Sequence, residues 1–293
     1  SLAADCKSES ELTSLLESGK ISAAVIIPAD FEKELAKNKT ASVQTLLDGA
    51  DAYTANVASG YIRKTMSEFH PEDIAPAKKP LIGMTTNMMY NPGLRASWYL
   101  VPGVLGATLT LIGTLVSSAV ILREKELGTL EQLLMTPASE WEVILAKVIP
   151  LFVLLLSDVA IAIFLCQLIF ELPFKGNPFL FFFGAALYIS ICIGFGMFLG
   201  TLCKSQRQAQ LCSFFINIPL IQLSGSVVPF ESMPIFLQQL STLDPLRYFT
   251  YFARAVLLKG AGIELLWPYL AALAFASILI LSASTIRFRR QLA

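Results

Sequence analysis

Apolar and polar positions divide the chain into two regions. From Trp98 onward, long uncharged runs recur. Trp98 to Leu122 contains no charged residue, Val148 to Phe170 is interrupted only by Asp158, and Pro178 to Leu202 is again uncharged. A fourth run begins near Leu211 and is expected to lose helical character around Ser224-Gly225 and Pro229, with Pro219 contributing to the break. A fifth covers Leu265 to Ile286. About 20 apolar residues at roughly 1.5 Å rise each cross a hydrocarbon core of about 30 Å, so these runs predict five membrane-spanning helices. Before them, the pattern is that of a soluble α/β segment. Leu12, Leu15 and Leu16 share a helical face ending at Gly19, Ala23 to Ile27 and Val43 to Leu47 read as strands, and Asp48-Gly49 is a turn pair. Asp30 can begin a short helix through Leu35. A longer helix, 50–69, leads into a linker marked by Pro71, Pro76 and Pro80. Two strands and three helices make a small core, which suggests that part of this domain precedes the chain.

Charge follows the same division. The chain is 55% hydrophobic and 15% charged, against about 25% charged for soluble domains. Residues 1–80 hold 9 Lys/Arg and 12 Asp/Glu, which leaves 13 and 10 for the rest. Net charge is zero, so nothing suggests nucleic acid as a partner. Basic residues in the connections are unequal. Arg123, Lys125, Lys147, Lys204, Arg207, Arg287, Arg289 and Arg290 crowd one side, while Arg95, Lys175, Arg247, Arg254 and Lys259 are spread along the other. The positive-inside rule places the first set in the cytoplasm. The C-terminus is then inside and residues 1–92 outside, which implies a further span upstream and six in the full protein. The fold expected is an all-α polytopic membrane bundle, 93–293, with an N-terminal extracytoplasmic α/β domain and linker, 1–92.

Several residues carry candidate chemistry. Asp158 is the only ionisable residue near the middle of a span. It reads either as a polar contact in a translocation path or as a locally bonded acid that fixes packing. Asn217 and Gln222 in the fourth run are polar and neutral, and suit interhelical hydrogen bonding or the same path. Gly196 and Gly200 form a G-x-x-x-G that permits close helix approach. Among the cysteines, Cys166, Cys192, Cys203 and Cys212 lie in or beside apolar runs without a C-x-x-C pair, so they read as packing residues. The stretch after the first span, Arg123 to Pro137, is charged and then amphipathic, with Leu127, Leu130, Leu133 and Leu134 on one face.

Those residues do more than alternate. Glu126, Gly128, Thr129, Leu130, Glu131, Gln132, Leu133, Leu134, Thr136 and Pro137 match the E-x-G-T-L-E-Q-L-L-x-T/S-P pattern of the coupling-helix region in ABC type-2 exporter permeases. The chain resembles the drug-exporter-like branch, which has a large extracytoplasmic insert. YNP at Tyr90 to Pro92, LSGSVVPFESMP at Leu223 to Pro234, and DPLRYF at Asp244 to Phe249 extend the resemblance, as do IPADF at Ile27 to Phe31 and the Asp48-Gly49 pair.

The resemblance implies a permease that docks on a cytosolic ATPase through segment 123–137. Glu124, Glu126 and Glu131 would meet basic residues there, and a second permease would complete a homo- or heterodimer. It also implies that the re-entrant region 224–258 gates the outer end of the pathway, through Ser224, Gly225, Pro229, Met233, Pro234, Asp244, Pro245 and Arg247. ATP and magnesium would sit on the partner ATPase. No G-x-x-x-x-G-K-[ST] loop occurs in this chain, and no cofactor is expected on it. The expected activity is export of drugs or other amphipathic small molecules across a bacterial inner membrane, without enzymatic chemistry in this chain. A periplasmic adaptor and an outer-membrane channel suit the outer domain, though no residue supports them. Export of a lipid or polysaccharide, or a non-transporting scaffold, are the alternatives.

Overall fold

The computed structural model describes residues 9–17, 21–36, 41–49, 52–68, 82–91, 95–128, 140–226 and 233–292. The chain divides into two compact units, 1–99 and 100–293.

The first unit contains helix α1 (Glu9–Glu17), strand β1 (Ala23–Ile26), helix α2 (Phe31–Ala36), strand β2 (Ala41–Asp48), helix α3 (Ala52–Glu68) and strand β3 (Ile82–Met89). The sheet order is β1-β2-β3, with β1 antiparallel and β2 parallel to its neighbour β3. A parallel pair needs a crossover connection, and α3 supplies it. Strand β3 corrects the two-strand expectation. It falls in the stretch read as linker, and its in-register partner β2 is distant in sequence. Leu16, Ala24 and Leu46 form the small core, with Leu12 and Ile21 packed against it. The Asp48-Gly49 turn is present. Gly49 N–H donates to Met89 O at 2.9 Å, and a Cβ on Gly49 would lie 2.6 Å from that oxygen, so no side chain fits there.

The second unit is helical. Helix α4 (Ala96–Leu127) is followed by α5 (Glu140–Phe170), α6 (Pro178–Leu202), α7 (Gln206–Leu223), α8 (Ile235–Ser241), α9 (Pro245–Arg254) with a π-helical turn at Ala255–Lys259, and α10 (Ile263–Leu292). Among the described residues, four helices are long and apolar enough to cross a membrane: Ala96–Arg123, Glu142–Phe170, Pro178–Leu202 and Ile263–Arg287. The fourth expected span forms α7, but its 18 residues open with Gln206, Arg207, Gln208 and Gln210, which leaves a short apolar portion. Pro219 does not break it. The helix continues to Leu223 and ends where expected, with Ser224 as C-cap and Gly225 at φ 76°. One missing amide donor is tolerable within a membrane helix, and Pro102, Pro150 and Pro268 likewise lie inside helices.

Helix α6 is the hub, packing on α5, α7, α9 and α10. Its G-x-x-x-G behaves as expected: a Cβ on Gly196 would lie 2.5 Å from Thr114 O on α4, and one on Gly200 would lie 3.2 Å from Ser118 O. Close backbone approach is what small residues at this spacing allow.

Candidate functional site

Five segments line a cavity of about 540 Å³, within the range of about 300–1,000 Å³ common for ligand pockets. Helix α4 presents Thr110 and Thr114, α6 presents Tyr188 and Cys192, and α7 presents Asn217. The α8–α9 segment presents Asp244 and Tyr248, and α10 adds Phe275 and Leu279. Most of the wall is apolar, and its polar groups lie in a connected row. Asn217 Nδ2 donates to Thr114 Oγ1 at 2.6 Å, and Thr114 Oγ1 donates to Thr110 O at 2.6 Å. Thr110 Oγ1 in turn shares a hydrogen bond with Tyr188 OH. Thr110 and Thr114 lie one turn apart on α4, the spacing that stacks side chains on one helix face. Tyr188 is fixed from the other side by stacking on Phe249 of α9, with ring centroids 4.4 Å apart.

Asp244 is 4% exposed. Its Oδ1 accepts the Leu246 N–H at 3.0 Å and so caps α9, with Pro245 at the first helical position. Burial pushes its carboxyl up to about 7, against smaller lowering effects from the Leu246 N–H and from Arg247. Two buried oxygens beside the cavity, Asp244 Oδ2 and Asn217 Oδ1, have no hydrogen-bond partner.

The other expected path residues lie elsewhere. Asp158 is exposed on α5, on a face shared with Leu154, Ile161 and Leu165, and does not line the cavity. Gln222 is also exposed. Of the three, only Asn217 reaches the cavity.

The outer segment is a packed turn. Ser224 Oγ donates to Ile221 O at 2.8 Å and also bonds Ser226 Oγ. Arg254 of α9 donates to Gly225 O at 3.2 Å and Ser226 O at 3.0 Å, which satisfies backbone carbonyls of the turn that follows α7. The sequence analysis did not single out Arg254 as a site residue. An arginine ten residues beyond the Asp244 cap was the available signal, but its target lies 28 residues back. Arg247 Nη1 reaches Ser241 Oγ at 3.3 Å, and Met233 O accepts from Gln238 Nε2 at 2.9 Å. Pro234 occupies the N-cap position of α8. Pro229 lies outside the described residues.

Segment 123–137 does not begin as a separate helix. Residues 123–127, which include Glu124, are the last turn of α4, and Gly128 closes it at φ 67°. Thr129, Leu130, Glu131, Gln132, Leu133, Leu134, Thr136 and Pro137 lie outside the described residues. Glu126 Oε1 accepts the Gln206 N–H at 2.8 Å, at the start of α7 where Ser205 caps the next turn. A carboxylate at a helix N-terminus meets free donors and the positive end of the helix dipole. Helices α4 and α7 are thus tied twice, at Glu126–Gln206 and at Thr114–Asn217. The intervals are about 18 Å of α4 and about 17 Å of α7, which match in length. Among the described residues, no cluster of three His, Cys, Asp or Glu could hold a metal ion.

The sequence profile of the ABC-2 family transporter proteins matches residues 2–286. Two relatives in Escherichia coli K12 carry the name probable multidrug ABC transporter permease. YbhR is 32% identical over 286 residues, covering 97% of this chain and 78% of the relative. YbhS is 30% identical over 255 residues, covering 85% and 68%. The inner membrane transport permease YhhJ of the same organism is 28% identical over 287 residues, covering 96% and 76%. A bundle of apolar helices with a match along nearly its whole length places this chain in the ABC-2 family of transporter proteins, as a membrane permease.

Proposed function

We propose that this permease belongs to an ATP-driven exporter that moves amphipathic, drug-like small molecules out of the cytoplasm or the inner leaflet. Its ATPase is a separate cytosolic subunit that docks on segment 123–137, and ATP and magnesium bind there. Two permeases pair across the membrane and alternate between inward and outward access, with segment 224–258 at the outer end. The membrane is a bacterial inner membrane, crossed five times by this chain, with residues 1–92 on the extracytoplasmic side and the C-terminus in the cytoplasm. The relatives named as multidrug permeases support the substrate class.

The observation that carries the mechanism is the double tie between α4 and α7. Helix α4 runs unbroken from the cavity wall at Thr110 and Thr114 to Glu126, beside the proposed docking segment. A push there moves α4 as a rod, and Glu126–Gln206 makes α7 follow. The moving pair carries Thr114 and Asn217, whose hydrogen bond lies on the cavity wall. ATPase motion is thereby delivered to the cavity without a flexible joint in either helix.

Inside-out vesicles that contain the full-length permease and its ATPase test this reading. ATP should drive accumulation of lipophilic fluorescent dyes, and a non-hydrolysable ATP analogue should not. Equal accumulation with both nucleotides would refute export.

A further inference from the structure

The two unpartnered oxygens have a consequence beyond general drug transport. Leaving a buried acceptor unsatisfied costs the full desolvation of that group, more for a charged one, so native structures rarely keep two such atoms beside one cavity without a use for them. Asp244 keeps Oδ1 occupied at the start of α9 and leaves Oδ2 bare. Asn217 donates its amide to Thr114 and leaves Oδ1 bare. Both atoms are acceptors, one is on an acidic residue, and the surrounding wall is apolar with aromatic rings from Phe195, Tyr248 and Phe275. Arg247 supplies positive charge to the Asp244 carboxyl, but its guanidinium donates to Gln238 O and Ser241 Oγ. The missing complement is therefore a hydrogen-bond donor at Oδ2, which an ammonium on an apolar body provides.

We propose that this cavity is a binding site, one within each chain, for small lipophilic amines. Their ammonium N–H groups are received by Asp244 Oδ2 and Asn217 Oδ1, while the apolar body lies against Phe195, Phe275 and Leu279. This deepens the export reading in one respect: the bound amine is the molecule exported. The volume of about 540 Å³ accommodates a two-ring amine.

Proton binding follows from the same geometry. Among the described residues, Arg247 on α9, and Tyr188 and Cys192 on α6, are the ionisable groups around Asp244, and Tyr248 of α9 adds a phenol to the wall. Helices α4, α7 and α10 line the cavity with uncharged residues only. With the Asp244 carboxyl held up to about 7 by burial, it is neutral below that pH and anionic above it. Binding of a permanently protonated amine therefore strengthens as pH rises through neutrality.

The test is equilibrium binding of dansylcadaverine to purified full-length permease in detergent, without ATPase or ATP, followed by the blue shift of dansyl fluorescence. The primary ammonium of this probe stays protonated from pH 5.5 to 8.5. The expected result is saturable binding of one probe per chain, at least tenfold tighter at pH 8.5 than at pH 5.5. Asp244→Asn keeps a capping oxygen for α9 and should lose at least tenfold at pH 8.5, along with the pH dependence. N-acetyl-dansylcadaverine, uncharged, should bind the wild type as weakly as dansylcadaverine binds Asp244→Asn. Ala276→Trp fills the cavity without altering either oxygen and should abolish saturable binding. Should Asp244→Asn fail to fold, the acetylated probe and Ala276→Trp still decide. Unsaturable binding, or equal affinity for both probes and in Ala276→Trp, overturns the site and indicates a cavity filled by water or by protein. Export measured in vesicles is independent of this result, so a permease that exports dyes yet ignores these changes loses only the amine site.

Discussion

Replacing Gly196 with alanine places a methyl group between α4 and α6 where no space exists. Its carbon would lie 2.5 Å from Thr114 O, 2.7 Å from Ser117 Cβ and 2.9 Å from Thr114 Cα. Ordinary carbon–oxygen contacts sit near 3.3–3.6 Å, so the backbones must part by nearly 1 Å. The obstacles are two backbone atoms and a Cβ, none of which can swing aside as a side-chain tip would. Overpacking of this kind costs about 1–3 kcal/mol, and the better helix propensity of alanine returns up to about 1 kcal/mol. Moving Thr114 also stretches its 2.6 Å hydrogen bond from Asn217, worth a further ~1 kcal/mol. The net loss is roughly 2 kcal/mol, or an apparent Tm lower by about 4–8 °C for a unit of this size. Heating the detergent-solubilised protein and following the surviving monodisperse peak by size exclusion measures it. Gly200→Ala is the internal control, because its nearest obstacle is 3.2 Å away and it should cost under about 3 °C. An equal or smaller drop for Gly196→Ala than for Gly200→Ala would refute the account of this contact.

Other outcomes follow from the same structure. Arg254→Ala removes two charge-assisted hydrogen bonds to Gly225 O and Ser226 O and should cost about 2–4 kcal/mol in the same heating assay, with Arg254→Lys a poor rescue because one ammonium cannot match the two-pronged guanidinium. Glu126→Ala should lower Tm by only about 2 °C, since the bond is exposed, yet uncouple ATP hydrolysis from transport, whereas Glu126→Gln keeps an acceptor for Gln206 and should stay coupled. Asp244 is raised by folding from its ordinary 3.8 to about 7, so the stability it contributes is complete below pH 4 and is lost as pH climbs to 7. Wild type should lose roughly 2–3 kcal/mol relative to Asp244→Asn between pH 5 and pH 8, visible as a Tm difference that grows with pH. In the first unit, Gly60 lies inside α3 with nothing within 4 Å of an added Cβ, so Gly60→Ala should stabilise that unit by about 1 kcal/mol in chemical denaturation.

What the sequence made legible was local. Runs with little or no charge located α4, α5, α6 and α10, because hydrocarbon crossing is a property of the segment itself, while the charged extensions at 140–147, 123–127 and 287–292 lay outside those runs. The end of α7 at Ser224-Gly225 was legible for the same reason: a left-handed glycine stops a helix without outside help. Strand β3 was missed because its pattern, IGMTTNMM, has no period-two alternation and its pairing partner is far away in sequence. The two acids show where local reading stops. Asp158 drew attention by its mid-span position, but which face of α5 it occupies depends on packing, and that face is exposed. Asp244 read as one member of a gate loop, because nothing local shows that α9 folds back against α6 and buries it beside Tyr188. The Glu126–Gln206 tie is long-range in the same sense and could not be read from either segment alone.

The central claim is that segment 123–137 couples this permease to a separate ATPase. Its most direct test is the ATPase rate of that partner in proteoliposomes with the full-length permease, with and without Glu131→Lys and Leu134→Asp in the segment. The account predicts several-fold stimulation by the wild-type permease and a return to the basal rate with the double substitution. An ATPase that ignores the permease, or responds equally to both forms, would contradict it.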